Sequence, residues 1–244
     1  MPLTANWQPA ATWAAKYVCG RYITTQAAAF ERAVRVGKIT WQFEASYNVA
    51  PTQSVPVVRE QDGKSVGIMM RWGLIPFFAR GEAPKYSTIN ARLETVETAA
   101  SYRGPWKRGQ RCLQLAAGFY EWHLDDTGRK APYLIQLNDQ DVFAFAGLWD
   151  RSVKSDGTAI ESVAHITMPG NDLMRKIHNT GNNPHRMPAI LRKEDHEVWL
   201  HGSVEDAKAV LQPYPPDHMF AFEVSTRVNS PKNNSPDLIQ PVHR

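Results

Sequence analysis

Between Cys112 and Met168 one strand-like segment follows another, and this run commits most of the chain to a β core. Cys112–Ala116, Gly118–His123, Tyr133–Leu137, Val142–Trp149 and Ser162–Met168 mostly alternate apolar and polar positions, the period-two pattern of half-buried antiparallel strands. A hairpin turn is expected at Asp125–Lys130. Upstream, Val55–Arg59 and Val66–Trp72 flank Asp62-Gly63 and read as a second hairpin, because Asp-Gly supplies the positive φ that tight turns demand.

Helical patterns lie outside this block. From Gln26 to Val36, Phe30, Ala33 and Val34 form a narrow apolar face that Gly37 ends. Thr95–Trp106 reads as a short helix broken at Gly104-Pro105, Asn171–His178 as one capped by Asn171, and Glu194–His201 and Val204–Leu211 as two more. A strand follows at Phe220–Ser225, and the proline-rich tail from Asn229 is expected to lie extended. The fold class is therefore α+β, a mainly antiparallel, barrel-like β core with peripheral helices. With 244 residues, 43% of them hydrophobic, and no Ser/Gly-rich or charged linker, one domain is expected over 19–244. Residues 1–18 read as an N-terminal extension, absent or removed in the active protein.

Composition narrows the function. Lys and Arg number 28 against 24 Asp and Glu, with a pI of about 9.1, which permits an anionic partner but not histone-like coating of nucleic acid. No apolar run approaches the ~20 residues of a membrane span, and no signal-peptide pattern opens the chain, so a cytoplasmic protein is expected. Cys19 and Cys112 are the two cysteines, too few for a disulfide framework or a zinc ribbon. No spacing suggests a metal site, and no cofactor is expected.

Seven strings carry more information together than any does alone: Cys19-Gly20-Arg21, Asn48-Val49-Ala50-Pro51-Thr52, Arg71-Trp72-Gly73-Leu74-Ile75-Pro76, Asn90-Ala91-Arg92-Leu93-Glu94-Thr95, Gly118-Phe119-Tyr120-Glu121-Trp122, Arg186-Met187-Pro188 and Ser225-Thr226-Arg227-Val228-Asn229. In this order, from Cys19 to about Pro241, the chain resembles the SRAP family, the SOS response-associated peptidases. The resemblance implies a protein of the DNA damage response that recognises abasic sites in single-stranded DNA. It links itself to them covalently through an N-terminal cysteine, with an autoproteolytic peptidase activity for its own maturation and a lyase activity as a further implication.

Elementary chemistry supports that reading. A cysteine at a chain's first position carries a thiol and a free α-amine on adjacent carbons, and such an aminothiol closes an aldehyde into a thiazolidine through a Schiff base. An opened abasic deoxyribose is an aldehyde, so no cofactor is needed. By the resemblance Cys19 is the nucleophile, Glu121 the acid/base, Asn90 the group that positions the sugar, and a histidine a second proton donor. Ile177-His178 matches the family's Ile-His, but an inserted loop separates it from Arg186-Met187-Pro188 and His185 directly precedes Arg186; His178 is favoured and His185 is the alternative. Arg21, Asn48, Arg71 and Arg92 fall in the motifs as DNA contacts, since guanidinium groups grip phosphate bidentately, and Pro51 and Trp72 would offer flat apolar faces to bases. A monomer is expected.

Two other classes stay open, a self-processing cysteine peptidase and a non-catalytic single-strand binder. In the chain as written the Cys19 nitrogen is held in a peptide bond with Val18. Either that bond is cleaved, or translation begins at codon 18, valine being encoded by a GTG start; the second is favoured.

Overall fold

The computed structural model describes residues 19–34 and 36–242; the N-terminal extension, residues 1–18, lies outside them. In chain order the strands are β1 (Tyr22–Ile23), β2 (Lys38–Ile39), β3 (Ser54–Gln61), β4 (Lys64–Trp72), β5 (Asn90–Arg92), β6 (Arg111–Ala116), β7 (Gly118–Leu124), β8 (Lys130–Leu137), β9 (Phe143–Val153), β10 (Ala159–Pro169), β11 (Arg186–Pro188), β12 (Ile190–Leu191) and β13 (Met219–Glu223). Short helices intervene: α1 (Ala27–Ala33), α2 (Arg103–Lys107), α3 (Asp172–Ile177), α4 (His196–His201) and α5 (Val204–Ala209).

Five strands close on themselves in the order β4, β3, β6, β9, β10, with β10 returning to β4. The β3–β4 hairpin turns at Asp62 and Gly63, both at positive φ (52° and 75°), as the Asp-Gly pair predicts. Closure itself is parallel: Ser162 and Val163 of β10 pair with Arg71 and Trp72 of β4. Joining the ends removes the exposed edges that an open sheet would carry. A second sheet, β1-β7-β8-β13, branches off where β6 passes through Ala117 into β7. The result is the mostly antiparallel α+β barrel that the alternating pattern implies.

Register decides which side chains fill the barrel. Val57, Gln114 and Phe145 face one another across β3, β6 and β9, and Cys112, Gly147 and His165 make the next row. All are buried, apart from glycine's missing side chain. Where backbone is crowded, glycine is required: a Cβ on Gly147 would stand 2.7 Å from Cys112 Sγ and 3.3 Å from Val163 Cγ2.

Three local expectations are corrected. The helix expected over Thr95–Trp106 forms only at Arg103–Lys107; it contains Gly104 and Pro105 instead of breaking there, because a proline in the first turn sacrifices an N–H that has no intrahelical partner. The helix from Gln26 stops at Ala33, since Val34 is already extended (φ −124°, ψ 143°). The tail is not simply extended. It makes 3₁₀ turns at Thr226–Asn229 and Pro236–Ile239, buries Val228 and Leu238, and bridges Val224 to Pro241.

Gly147→Ala should lower Tm by about 3–9 °C, the effect of an overpacking penalty of about 1–3 kcal/mol in a domain of this size. Adding Cys112→Ala removes the closest obstructing atom and should recover part of the loss; thermal denaturation of both variants checks the pair.

Candidate active site

Strand β1 sets the position of Cys19. Tyr22 exchanges backbone hydrogen bonds with Val49 (3.3 and 2.8 Å), and Arg21 accepts from Tyr120 N–H at 3.0 Å. This pairing fixes the chain beside β7, while Cys19 itself sits in the left-handed region at φ 44°, uncommon for a residue with a Cβ. The turn directs the backbone N–H of Cys19 onto Oε1 of Glu121, to which it donates.

Glu121 is 1% exposed. Burial pushes its carboxyl up to about 8, opposed by the Cys19 N–H and by the Lys130 charge, so at neutral pH it holds a proton. Its second oxygen lies 3.9 Å from His178 Nε2. Burial likewise lowers His178 to about 4, so these are two neutral, proton-bearing groups and not an ion pair. The imidazole is oriented from behind: its Nδ1 accepts the backbone N–H of Arg186 at 3.2 Å, which leaves the proton on Nε2, facing Glu121. Arg186 in turn is held by a two-pronged ion pair to Glu94 (2.7 and 2.9 Å) and by the Thr167 carbonyl at 2.8 Å. The Cys19 thiol is buried and pushed well above its usual value by desolvation and by the Glu121 charge. With the peptide bond to Val18 intact it is a neutral thiol.

The structure thus brings Cys19, Glu121 and His178 together. His185 is placed differently: exposed, at φ 61°, with Nδ1 donating to the Arg175 carbonyl at 2.9 Å. Asn90 opens β5 directly after Thr88 and Ile89, which line the neighbouring cleft, and its carbonyl accepts from Tyr102 Oη at 3.0 Å.

That cleft, of about 530 Å³, runs from Gly20 past Pro51, Arg71 and Lys85 to Tyr86. Pro51 is half-buried on its wall and Arg71 borders it with one Nη on the Gly73 carbonyl; Arg92 is exposed. Trp72 requires a correction. Although it borders the cleft, it is 0% exposed, is packed edge-to-face with Tyr22 at 5.1 Å, and donates Nε1–H to Ile89 at 3.1 Å; no face is free for a base. Arg21 and Asn48 are corrected too. Both are buried, and the Arg21 guanidinium donates to Asn48 Oδ1 (2.8 Å) and the carbonyls of Val228 and Asn229 (3.0 and 3.3 Å). The Asn48 amide donates to the carbonyls of Val228, Ser230 and Asn233. Asn48 is therefore committed to the fold; Arg21 is largely so, although it still borders the cleft.

Sequence reasoning missed one feature and placed a second only coarsely. One is the Arg186–Glu94 brace behind His178, signalled only by the presence of both residues within matched strings. The other is the exposure of the Phe77, Phe78 and Tyr86 rings, with Arg108 5.4 Å from the centre of the Phe77 ring; the run Leu74–Phe78 already reads in the sequence as suited to a surface groove. Among the described residues no cluster of His, Cys, Asp or Glu could hold a metal, and no helix is long and apolar enough to cross a membrane.

Comparison with known proteins identifies the family and the fold. Residues 18–231 match the sequence model of a family described as SOS response associated peptidase (SRAP). A Bacillus subtilis protein named abasic site processing protein YoqW is 40% identical over 203 residues, covering 82% of this chain and 87% of that protein. The Gallus gallus protein named abasic site processing protein HMCES is 31% identical over 233 residues, covering 82% and 67%. A crystal structure of a Bacteroides thetaiotaomicron protein superposes with TM-score 0.79 at 28% identity, over 92% of this chain and 100% of that one. One from Bordetella bronchiseptica gives 0.74 at 26%, over 85% and 100%.

Two outcomes follow from the site's packing. With the Val18–Cys19 bond intact, Glu121 keeps its proton to about pH 8 when folded, against 4.5 for the ordinary group. The native state binds the extra proton in that window, so stability is full below about pH 4.5 and falls as pH rises towards 8. Glu121→Gln should remove this loss: its Tm advantage over the parent should grow between about pH 5 and 8, to on the order of 5 °C by calorimetry. Asn48→Ala should cost about 5 °C at neutral pH by stranding buried carbonyls, whereas Arg92→Ala should shift Tm by less than about 2 °C.

Proposed function

The chain belongs to the SRAP family, and we propose that it captures abasic sites in single-stranded DNA as a covalent adduct on Cys19. The names of its relatives support recognition of abasic sites in damaged DNA. The observation that carries the finer reading is the meeting of the Cys19 nitrogen with one Glu121 oxygen while His178 faces the other.

The chemistry runs as follows once the α-amine is free. The unprotonated amine of Cys19 adds to C1′ of the opened sugar, giving a carbinolamine. Glu121 takes the proton that nitrogen sheds and returns it to the departing hydroxyl, which leaves as water, so an imine remains. The thiol then adds to the imine carbon: a C–S bond forms, the C=N electron pair returns to nitrogen, and the thiol proton ends on that nitrogen. The product is a thiazolidine, with one water released. As the sugar opens, its C1′ hydroxyl gives up a proton and the ring oxygen gains one; His178, with its proton on Nε2, donates a hydrogen bond to that oxygen as the exchange occurs, and Asn90 holds the sugar at the cleft margin. Arg92 and Arg71 contact phosphate, and the exposed rings of Phe77, Phe78 and Tyr86 offer the stacking faces that Trp72 does not.

A peptide nitrogen cannot perform the first step, because its lone pair is delocalised into the carbonyl. Freeing it, whether by cleavage of Val18–Cys19 within the site or by initiation at codon 18, also changes Glu121. A neutral N–H becomes an ammonium against the same oxygen, and that charge draws the carboxyl back down. Glu121 thereby turns from a resting acid into a base able to deprotonate the amine.

The test pairs a chain beginning at Cys19 with one retaining residues 1–18, each mixed with single-stranded oligonucleotides that do or do not contain an abasic site. The first should give a denaturation-resistant band with the abasic strand alone, and intact mass should show its first residue. Crosslinking by chains that still carry residues 1–18 would overturn the α-amine mechanism; binding to both strands that is lost on denaturation would point to a non-catalytic binder. Within the reactive form, Cys19→Ala should abolish the adduct, His178→Ala should slow it by about 10²-fold, and His185→Ala should leave it nearly unchanged. Arg92→Ala should lower the log–log salt slope of strand binding by about 0.7.

A further inference from the structure

Glu121 and His178 come from different elements, β7 and the end of α3, yet the chemistry proposed above needs them at a fixed spacing. Glu121 serves the nitrogen that attacks C1′, His178 serves the ring oxygen, and in the closed sugar C1′ and that oxygen are bonded to each other. The two side chains do not lock the spacing themselves, because Glu121 Oε2 and His178 Nε2 stand 3.9 Å apart, beyond a hydrogen bond. Nor does the sheet. β7 pairs with β8 along Phe119–Leu124, but β1 pairs with it only at Gly118 and Phe119, with one more bond from Tyr120 N–H to the Arg21 carbonyl.

What joins the two elements lies at the far end of β7. Leu124, the last residue of the strand, donates its N–H to Asn179 Oδ1 at 2.9 Å and accepts from Asn179 Nδ2 at 2.8 Å. A planar amide that takes one bond from a residue and returns one copies the pairing of a neighbouring strand. One residue closer to Glu121, His123 Nδ1 donates to the Lys176 carbonyl at 2.9 Å. These three bonds bracket His178, with Lys176 two residues before it and Asn179 directly after it.

We propose that Asn179 is a positioning residue for adduct formation: by clamping the end of β7 it holds His178 at its working distance from Glu121. The inserted loop therefore begins with a residue that serves the site, and is more than a spacer. The clamp is at the surface, with Asn179 half-buried, so water can replace its hydrogen bonds when the amide is lost. Water cannot replace the connection, since solvent bonded to Leu124 places no constraint on residue 178. Asn179 thus matters for the spacing more than for stability. The catalytic consequence rests on the function proposed above, whereas the hold on His178 is measurable without DNA.

The first measurement uses the full chain labelled with ¹⁵N at histidine, in which long-range ¹H–¹⁵N spectra read the tautomer of each ring. His178 should carry its proton on Nε2 in the parent. Asn179→Ala should move its ring nitrogens towards the averaged values of mixed tautomers while those of His165, buried in the barrel, stay in place. Asn179→Asp, which can accept from Leu124 but not donate to it, should move them less far. Thermal stability should fall by less than about 3 °C for either variant. Unchanged His178 signals in both variants would overturn the proposal. In the chain beginning at Cys19, Asn179→Ala should slow the adduct by about tenfold, short of the about 10²-fold loss from removing His178, and leave affinity for an intact strand unchanged. Placed in the His178→Ala background it should cause no further slowing, because it acts through that ring. Equal slowing in both backgrounds, or a loss confined to strand affinity, would overturn it. If no chain beginning at Cys19 forms an adduct, the function proposed above falls, and the histidine spectra alone decide the clamp.

Discussion

One carboxyl group in a place where carboxylates are expensive organises the molecule. Glu121 lies in β7 with almost no exposed surface, and a charge there would have to be desolvated. It escapes that cost by keeping its proton, by accepting the Cys19 N–H, and by facing the protonated nitrogen of His178. Each contact makes demands elsewhere. The first requires β1 to be locked between Val49 and β7; the second requires an imidazole whose Nδ1 is engaged, which Arg186 provides while Glu94 balances the Arg186 charge. Much of the polar architecture can be traced outward from this group.

The arrangement couples charge to covalent state. A neutral peptide N–H and an ammonium differ by one unit of charge at the same atom, and in a site of low dielectric that difference is felt strongly by the nearest carboxyl. In the proposed conversion of the Cys19 nitrogen to a free amine, the same side chains would therefore hold protons differently without any change in fold. His178 is less affected, because its Nδ1 partner is a backbone N–H that does not titrate.

Much of the fold was legible because periodicity and turn chemistry are local. The barrel strands follow from alternation, and the Asp62-Gly63 hairpin from its dipeptide. Closure of the barrel was not legible: Ser162 and Val163 pair with Arg71 and Trp72 about ninety positions away, and no local pattern encodes a parallel partner. Cys19, Glu121 and His178 stood out through resemblance, since a glutamate on an alternating strand otherwise reads as solvent-facing. The errors have one cause. Asn48 and Trp72 were given to DNA by motif and residue type, but burial depends on what packs over them, and the cover is the distant segment Val228–Asn233 together with Ile89. Residue type states what a side chain can bind; only the tertiary fold states what it has already bound.

That cover has a consequence in time. Arg21 and Asn48 flank the segment that holds Cys19, yet their partners are carbonyls of Val228, Asn229, Ser230 and Asn233, and Asn229 also receives the indole N–H of Trp122, the neighbour of Glu121. A ribosome makes residue 228 some 207 positions after residue 21, at about 5–20 residues per second. For ten seconds or more the nascent protein has Cys19 but lacks the segment that anchors it. The geometry around Cys19 is therefore completed by a segment made some two hundred positions later, so a chain terminated before that segment carries the cysteine without the support that fixes its place.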